Sequence, residues 1–264
     1  MPPELAFILT LALRMAITAA FVVTASVITE RSGPVIGALI ATLPISAGPS
    51  YAFLALDHDA AFVAQGALAS LPINAATVFM SLVYVLLAQR GSLIVCFCAS
   101  VGLWLGLAVL IRTAQWSFGA GIAANVVAFA ICLPLVQRFR NVRMPLITRR
   151  WYDIPLRAVL VSTLVATVTT VSGWAGPAIS GTIAIVPIVL TSLMLILQPR
   201  IGGPPTAAVI ANSVWGLAGF AIAVAVLHVT ALPLGSAIAL SLALLTCVAW
   251  NLGLWGWSRR RLVR

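Results

Sequence analysis

The chain has 264 residues, of which 62% are hydrophobic and 8% charged, with a formal net charge of +10. Such a composition excludes a soluble globular domain, and apolar runs of 18 or more residues point to an all-α polytopic membrane protein. The runs do not alternate, which excludes a β-barrel. The basic residues sit in short loops and at the C-terminus, which excludes nucleic acid as the partner of the charge.

In chain order the apolar runs predict about nine transmembrane helices, at roughly 5–28, 33–56, 61–88, 92–112, 115–137, 154–174, 176–199, 205–229 and 232–257. Met1-Pro2-Pro3-Glu4 lacks a basic n-region and a cleavage site, so the first run reads as a retained span. Turn signals separate the runs, at Glu30-Arg31-Ser32-Gly33, Asp57-His58-Asp59, Arg90-Gly91-Ser92 and around Gly202-Gly203-Pro204-Pro205. The one long polar connection is 138–153. Cys96, Cys98, Cys132 and Cys247 lie inside apolar runs without disulfide or zinc spacing and read as buried thiols.

One motif occurs twice. Gly33-Pro34 and Gly176-Pro177, Ile40 and Ile183, and Pro44-Ile45 and Pro187-Ile188 are each 143 residues apart. The same offset pairs Leu13-Arg14 with Leu156-Arg157, giving 11 identities over the 34 positions from Leu13 to Ser46. A proline inside a helix costs about 3 kcal/mol, so its placement at one point of two spans predicts a proline-broken second helix in each copy. The chain divides accordingly into 1–137 (five spans), an Arg-rich linker 138–153, and 154–264 (four spans and a basic tail).

All 15 basic residues are arginine. Arg138, Arg140, Arg143, Arg149 and Arg150 mark the linker as cytoplasmic. Counting outward from it places 12 arginines in inside loops and tail and Arg112 alone outside. That orientation puts the N-terminus outside and the C-terminus in the cytoplasm of a bacterial inner membrane. Five spans separate the copies, so they enter the membrane in opposite directions as inverted repeats.

Titratable residues are scarce. Glu4, Glu30, Asp57, Asp59, Asp153, His58 and His228 all fall at interfaces or in loops. Neither a nucleophile–His–carboxylate set nor a metal-ligand cluster is present, so the chain does not read as an enzyme and implies no metal or cofactor. Arg14 and Arg157 lie within spans, Arg14 roughly 14 Å deep at nine residues. They read either as anchors that snorkel to the interface or as attractors of an anion.

Pro44 and Pro187, with Thr42, Ser46 and Thr182 nearby, read as a midplane binding site or as packing kinks. Each proline should free the carbonyl one turn earlier, at Ile40 and Ile183, and Gly48-Pro49 should break the first copy further. Asn74 and Asn212, on the helices that follow, are 138 apart and pair only if a gap of five is allowed. Each could bind substrate or bond helix to helix. Asn125 and Ser213 add neutral oxygens, and Trp215 a wall.

A five-span inverted repeat with a proline-broken helix resembles the bile-acid/sodium symporter and sodium/proton antiporter superfamily. The Gly-Pro…Ala…Pro-Ile wording is similar to that of the LrgB/CidB and AbrB groups. The resemblance implies alternating-access transport at a midplane site. It carries over no functional residue, because the broken helix here is the second of its repeat and the ion-coordinating acids are missing. The expectation is a secondary transporter moving a small solute, an organic anion on the strength of the two arginines, with sodium coupling through neutral oxygens left open. The partners are that solute and the lipid bilayer, with a homodimer also open. The alternatives are a channel or pore-forming regulator of LrgB type and an accessory subunit without transport.

Overall fold

The computed structural model describes residues 3–31, 44–142 and 150–262. These form α-helices and no strand: α1 Pro3–Arg31, α2 Ala47–Asp57, α3 Ala60–Leu87, α4 Leu93–Arg112, α5 Phe118–Gln137, α6 Asp153–Ala184, α7 Ile188–Ile201, α8 Gly203–Leu234 and α9 Ser236–Leu262. Seven stretches of the described residues are long and apolar enough to cross a membrane, and the chain is a multi-pass membrane protein. One of them, Asp153–Ile201, has 49 residues, more than twice the ~20 that a single crossing needs. The outer helices expose their apolar side chains: in α1 only 11% of the apolar stretch is buried. Surface of that kind is stable against hydrocarbon and not against water.

The loops end helices as the turn residues dictate. Asp59 caps α3 by accepting from Phe62 N–H at 2.8 Å, Ser92 caps α4 and Ser117 caps α5. Gly202 and Gly235, with φ of 83° and 81°, turn the chain before α8 and α9 in a conformation that favours glycine. The predicted boundary near 230 therefore falls later, since α8 runs through Pro233 to Leu234 before Gly235 stops it.

The 143-residue register extends through these elements. Asp59 and Gly202 precede α3 and α8, which start at Ala60 and Gly203; Ser92 and Gly235 precede α4 and α9, which start at Leu93 and Ser236. Each pair is 143 apart, so no gap of five is needed.

α3 and α8 cross at the centre, flanked by α5 and α6 on one and by α9 and α7 on the other. Close approach is bought by small residues: a side chain on Gly181 of α6 would run into the Gly66 backbone of α3. Ser70 Oγ donates to Gly181 O at 2.8 Å across the same contact, and Tyr51 OH meets Ser70 Oγ at 2.6 Å.

Candidate functional site: a cavity between two helix breaks

The second break is built in two steps. Gly176 has φ of 76°, non-helical, and Pro177 restarts the helix after it. Pro187 then offers no N–H, so α6 ends at Ala184 and α7 begins at Ile188. The carbonyl expected to be freed at Ile183 is recaptured by Val186 N–H at 3.0 Å. That turn corrects the expectation of an open carbonyl there.

In the first copy Gly33, Pro34, Ile40 and Thr42 lie outside the described residues. Pro44 is non-helical and α2 starts three residues later at Ala47. Gly48-Pro49 does not break the chain further, because both residues sit in the first turn of α2, where a missing N–H costs no intrahelical bond. Gly48 N–H donates to Pro44 O at 2.8 Å and fixes the entry.

The two breaks meet at one cavity of about 140 Å³. Its walls are residues 44–47 from the first break, Ile185, Val186 and Pro187 with the start of α7 from the second, and faces of α3 and α8. Positions 143 apart both line it: Pro44 and Pro187, Ser46 and Val189, Asn74 and Leu217, Thr77 and Phe220. Asn74 Nδ2 donates to Leu217 O, its own register counterpart, at 3.3 Å. Asn74 thus pairs with Leu217 and not with Asn212.

Behind the wall, Asn74 Nδ2 also donates to Asn125 Oδ1 at 2.8 Å, and Asn125 Nδ2 donates to Leu71 O and Gly121 O. Asn74 is 1% exposed and its donors are used within the protein. Thr77 Oγ1 donates to Ile73 O and accepts from Trp104 Nε1 at 3.0 Å. Ser213 Oγ donates to Val209 O and presents its lone pairs to the cavity. The described wall residues include no charged side chain. What the cavity does hold is the N-terminal end of α2 and that of α7, neither capped by a side chain. Helix N-termini present N–H groups and partial positive charge.

Of the residues singled out by sequence, Pro44, Ser46, Asn74, Pro187 and Ser213 therefore line one cavity. The other described ones lie elsewhere. Arg14 forms a bidentate ion pair with Asp57, lies over the Phe53 ring and does not line this cavity. Arg157 is on the early turns of α6, one turn beyond Asp153, away from the cavity wall. Asn212 accepts from Arg140 Nε at 2.8 Å, and Thr182 Oγ1 bonds its own helix at Ala178 O. Trp215 accepts at its backbone from Trp250 Nε1 and walls no part of the cavity. Thr77, Leu217 and Phe220 escaped the sequence reading, although carrying the 143 offset forward from Asn74 finds Leu217 directly. No protein-family model, curated protein or solved structure matches this chain.

Proposed function

We propose that the chain is a bacterial inner-membrane secondary transporter of two inverted repeats, moving a small organic anion by alternating access at the cavity between the helix breaks. The observation that carries this reading is that Pro44 and Pro187, one register step apart, border the same cavity together with the starts of α2 and α7. Nine crossings follow if Asp153–Ile201 counts as two and the run through Pro44 as one, and the arginine asymmetry sets the N-terminus outside and the C-terminus inside. The anion is then held by the N-terminal ends of α2 and α7, not by arginine. Asn74 and Ser213 have their donors engaged within the protein and offer the anion no hydrogen bond.

Counterflow in proteoliposomes tests this. Preloaded butyrate should accelerate entry of labelled butyrate, and Pro44→Ala and Pro187→Ala should each lower that exchange at least tenfold in protein that still inserts and elutes as a single species. Flux without trans-stimulation would instead identify a channel, and no flux for any carboxylate would leave an accessory role. Running the assay with and without sodium decides the coupling.

A further inference from the structure

A second and larger cavity, of about 420 Å³, adjoins the first. The two share Pro44, Ile45, Ala47 and Phe220 as walls, so they adjoin at the first helix break. Its remaining walls are apolar faces of α1, α2, α8 and α9, among them Phe21, Phe53, Leu227 and Leu244. The polar side chains that reach it are already engaged: Thr18 Oγ1 donates to Arg14 O, Tyr51 OH meets Ser70, and Ser241 Oγ donates to Ala237 O. A ligand here would find none of these three hydroxyl protons free to donate.

Two further observations say what it holds. Phe21 of α1 and Leu244 of α9 are 48% and 49% exposed, so the chamber opens sideways onto the flank that faces hydrocarbon. At the positions 143 residues away the chain fills the corresponding space itself, with Trp104 for Cys247 and Met80 for Ala223, both buried. An unfilled apolar void is destabilising, and this one lies where Cys247 and Ala223 stand in place of the larger Trp104 and Met80.

We propose that the chamber seats the hydrocarbon chain of an amphiphilic carboxylate whose head group occupies the central cavity. The head rests on the anion reading above; the chain rests on the chamber alone. Such a solute partitions into the bilayer and reaches the chamber through the opening between α1 and α9 without passing through water.

The test is calorimetric titration of the full chain in nanodiscs with straight-chain carboxylates from butyrate to dodecanoate, beside alcohols and alkylamines of the same lengths. Carboxylate affinity should rise about fourfold per added methylene until the chamber is full. Cys247→Trp and the milder Ala223→Met, each importing the register residue, should flatten that rise, with a loss of affinity that is smallest for butyrate and grows with chain length. Nanodisc partitioning is common to all three proteins, so an equal chain-length dependence in all of them would overturn the proposal. Butyrate binding with no chain-length dependence in the wild type would overturn the chamber and leave the anion site standing. Alcohols or amines that bind as tightly as carboxylates, with the rise still lost in the filled variants, would overturn the carboxylate head and keep the chamber. No binding in any series overturns both.

Discussion

The flank formed by α3, α4 and α7 and the flank formed by α8, α9 and α2 stand 143 residues apart throughout, yet one is solid and the other hollow. In the first, Trp104 is 5% exposed and its Nε1 donates to Thr77 Oγ1. Tyr84 is fully buried and its OH donates to Gln198 Oε1 at 2.7 Å, while Gln198 Nε2 reaches Gly91 O. In the second, Cys247, Phe220, Leu227 and Ala55 stand where Trp104, Thr77, Tyr84 and Gln198 stand in the first. The indole, the phenol and the amide are all gone, and Cys247, Phe220 and Leu227 line the chamber instead. The helix starts thus keep one register while side-chain volume decides which flank is filled.

The largest expected effect comes from hollowing the solid flank. Trp104→Cys removes a buried indole and should cost about 3–5 kcal/mol, read as a fall in the unfolding midpoint of purified protein. Its reciprocal, Cys247→Trp, places the indole where a cavity already exists and should not lower the midpoint. Equal losses from both would mean that the two flanks are packed alike and would break the comparison.

The next effect lies at the centre, where Asn74 faces Leu217. Asn74→Leu makes the two register positions alike and leaves Asn125 Oδ1 without its buried donor, a loss of about 1–3 kcal/mol. Asn74→Leu with Asn125→Leu should recover part of that loss, because no orphaned amide remains. A double variant that loses the full sum of the two single losses would show that the pair is not coupled as drawn. Smaller again is Tyr84→Phe, which keeps the ring and removes only the bond to Gln198, for about 1 kcal/mol in the same measurement.

How much of this could be read from sequence depends on which signal was followed. The break at Pro187 was legible because proline's missing N–H acts locally, and the register leads from it to Pro44, which stands outside a helix just before α2. The partner of Asn74 was misassigned because residue type was weighted over register: Asn212 looks like a counterpart, but the unbroken offset leads to Leu217. The chamber was invisible for a different reason. Cys247 and Ala223 read as ordinary apolar positions, and only the knowledge that Trp104 and Met80 are their counterparts turns small side chains into missing volume. The pairing of Arg14 with Asp57, 43 residues away, is a tertiary contact with no periodicity to announce it.

That ion pair gives the smallest effect and the sharpest distinction between the flanks. Arg14–Asp57 joins α1 to the end of α2 beside the hollow flank, since Thr18 and Phe53 beneath it are chamber walls. Its counterpart joins α6 to the end of α7 beside the solid flank. There Arg200 stands at the register position of Asp57, so the polarity is reversed and the acid is Asp153, bonded at 2.6 and 2.7 Å. Arg200 also lies over the Tyr152 ring, and the hydrogen bond from Arg150 holds the Tyr152 phenol below its ordinary pKa. The side chains of the first pair are 20% and 26% exposed and those of the second 14% and 13%. Solvent-exposed pairs contribute about 0–1 kcal/mol. A double-mutant cycle of Arg14→Gln with Asp57→Asn should therefore give a coupling of at most about 1 kcal/mol. The cycle of Arg200→Gln with Asp153→Asn should give the larger value. Neither Arg14→Gln nor Arg157→Gln should change butyrate affinity by more than about twofold, or 0.4 kcal/mol, because neither guanidinium borders the central cavity. A severe loss of affinity in either variant would return the anion to the arginines and take it away from the helix breaks.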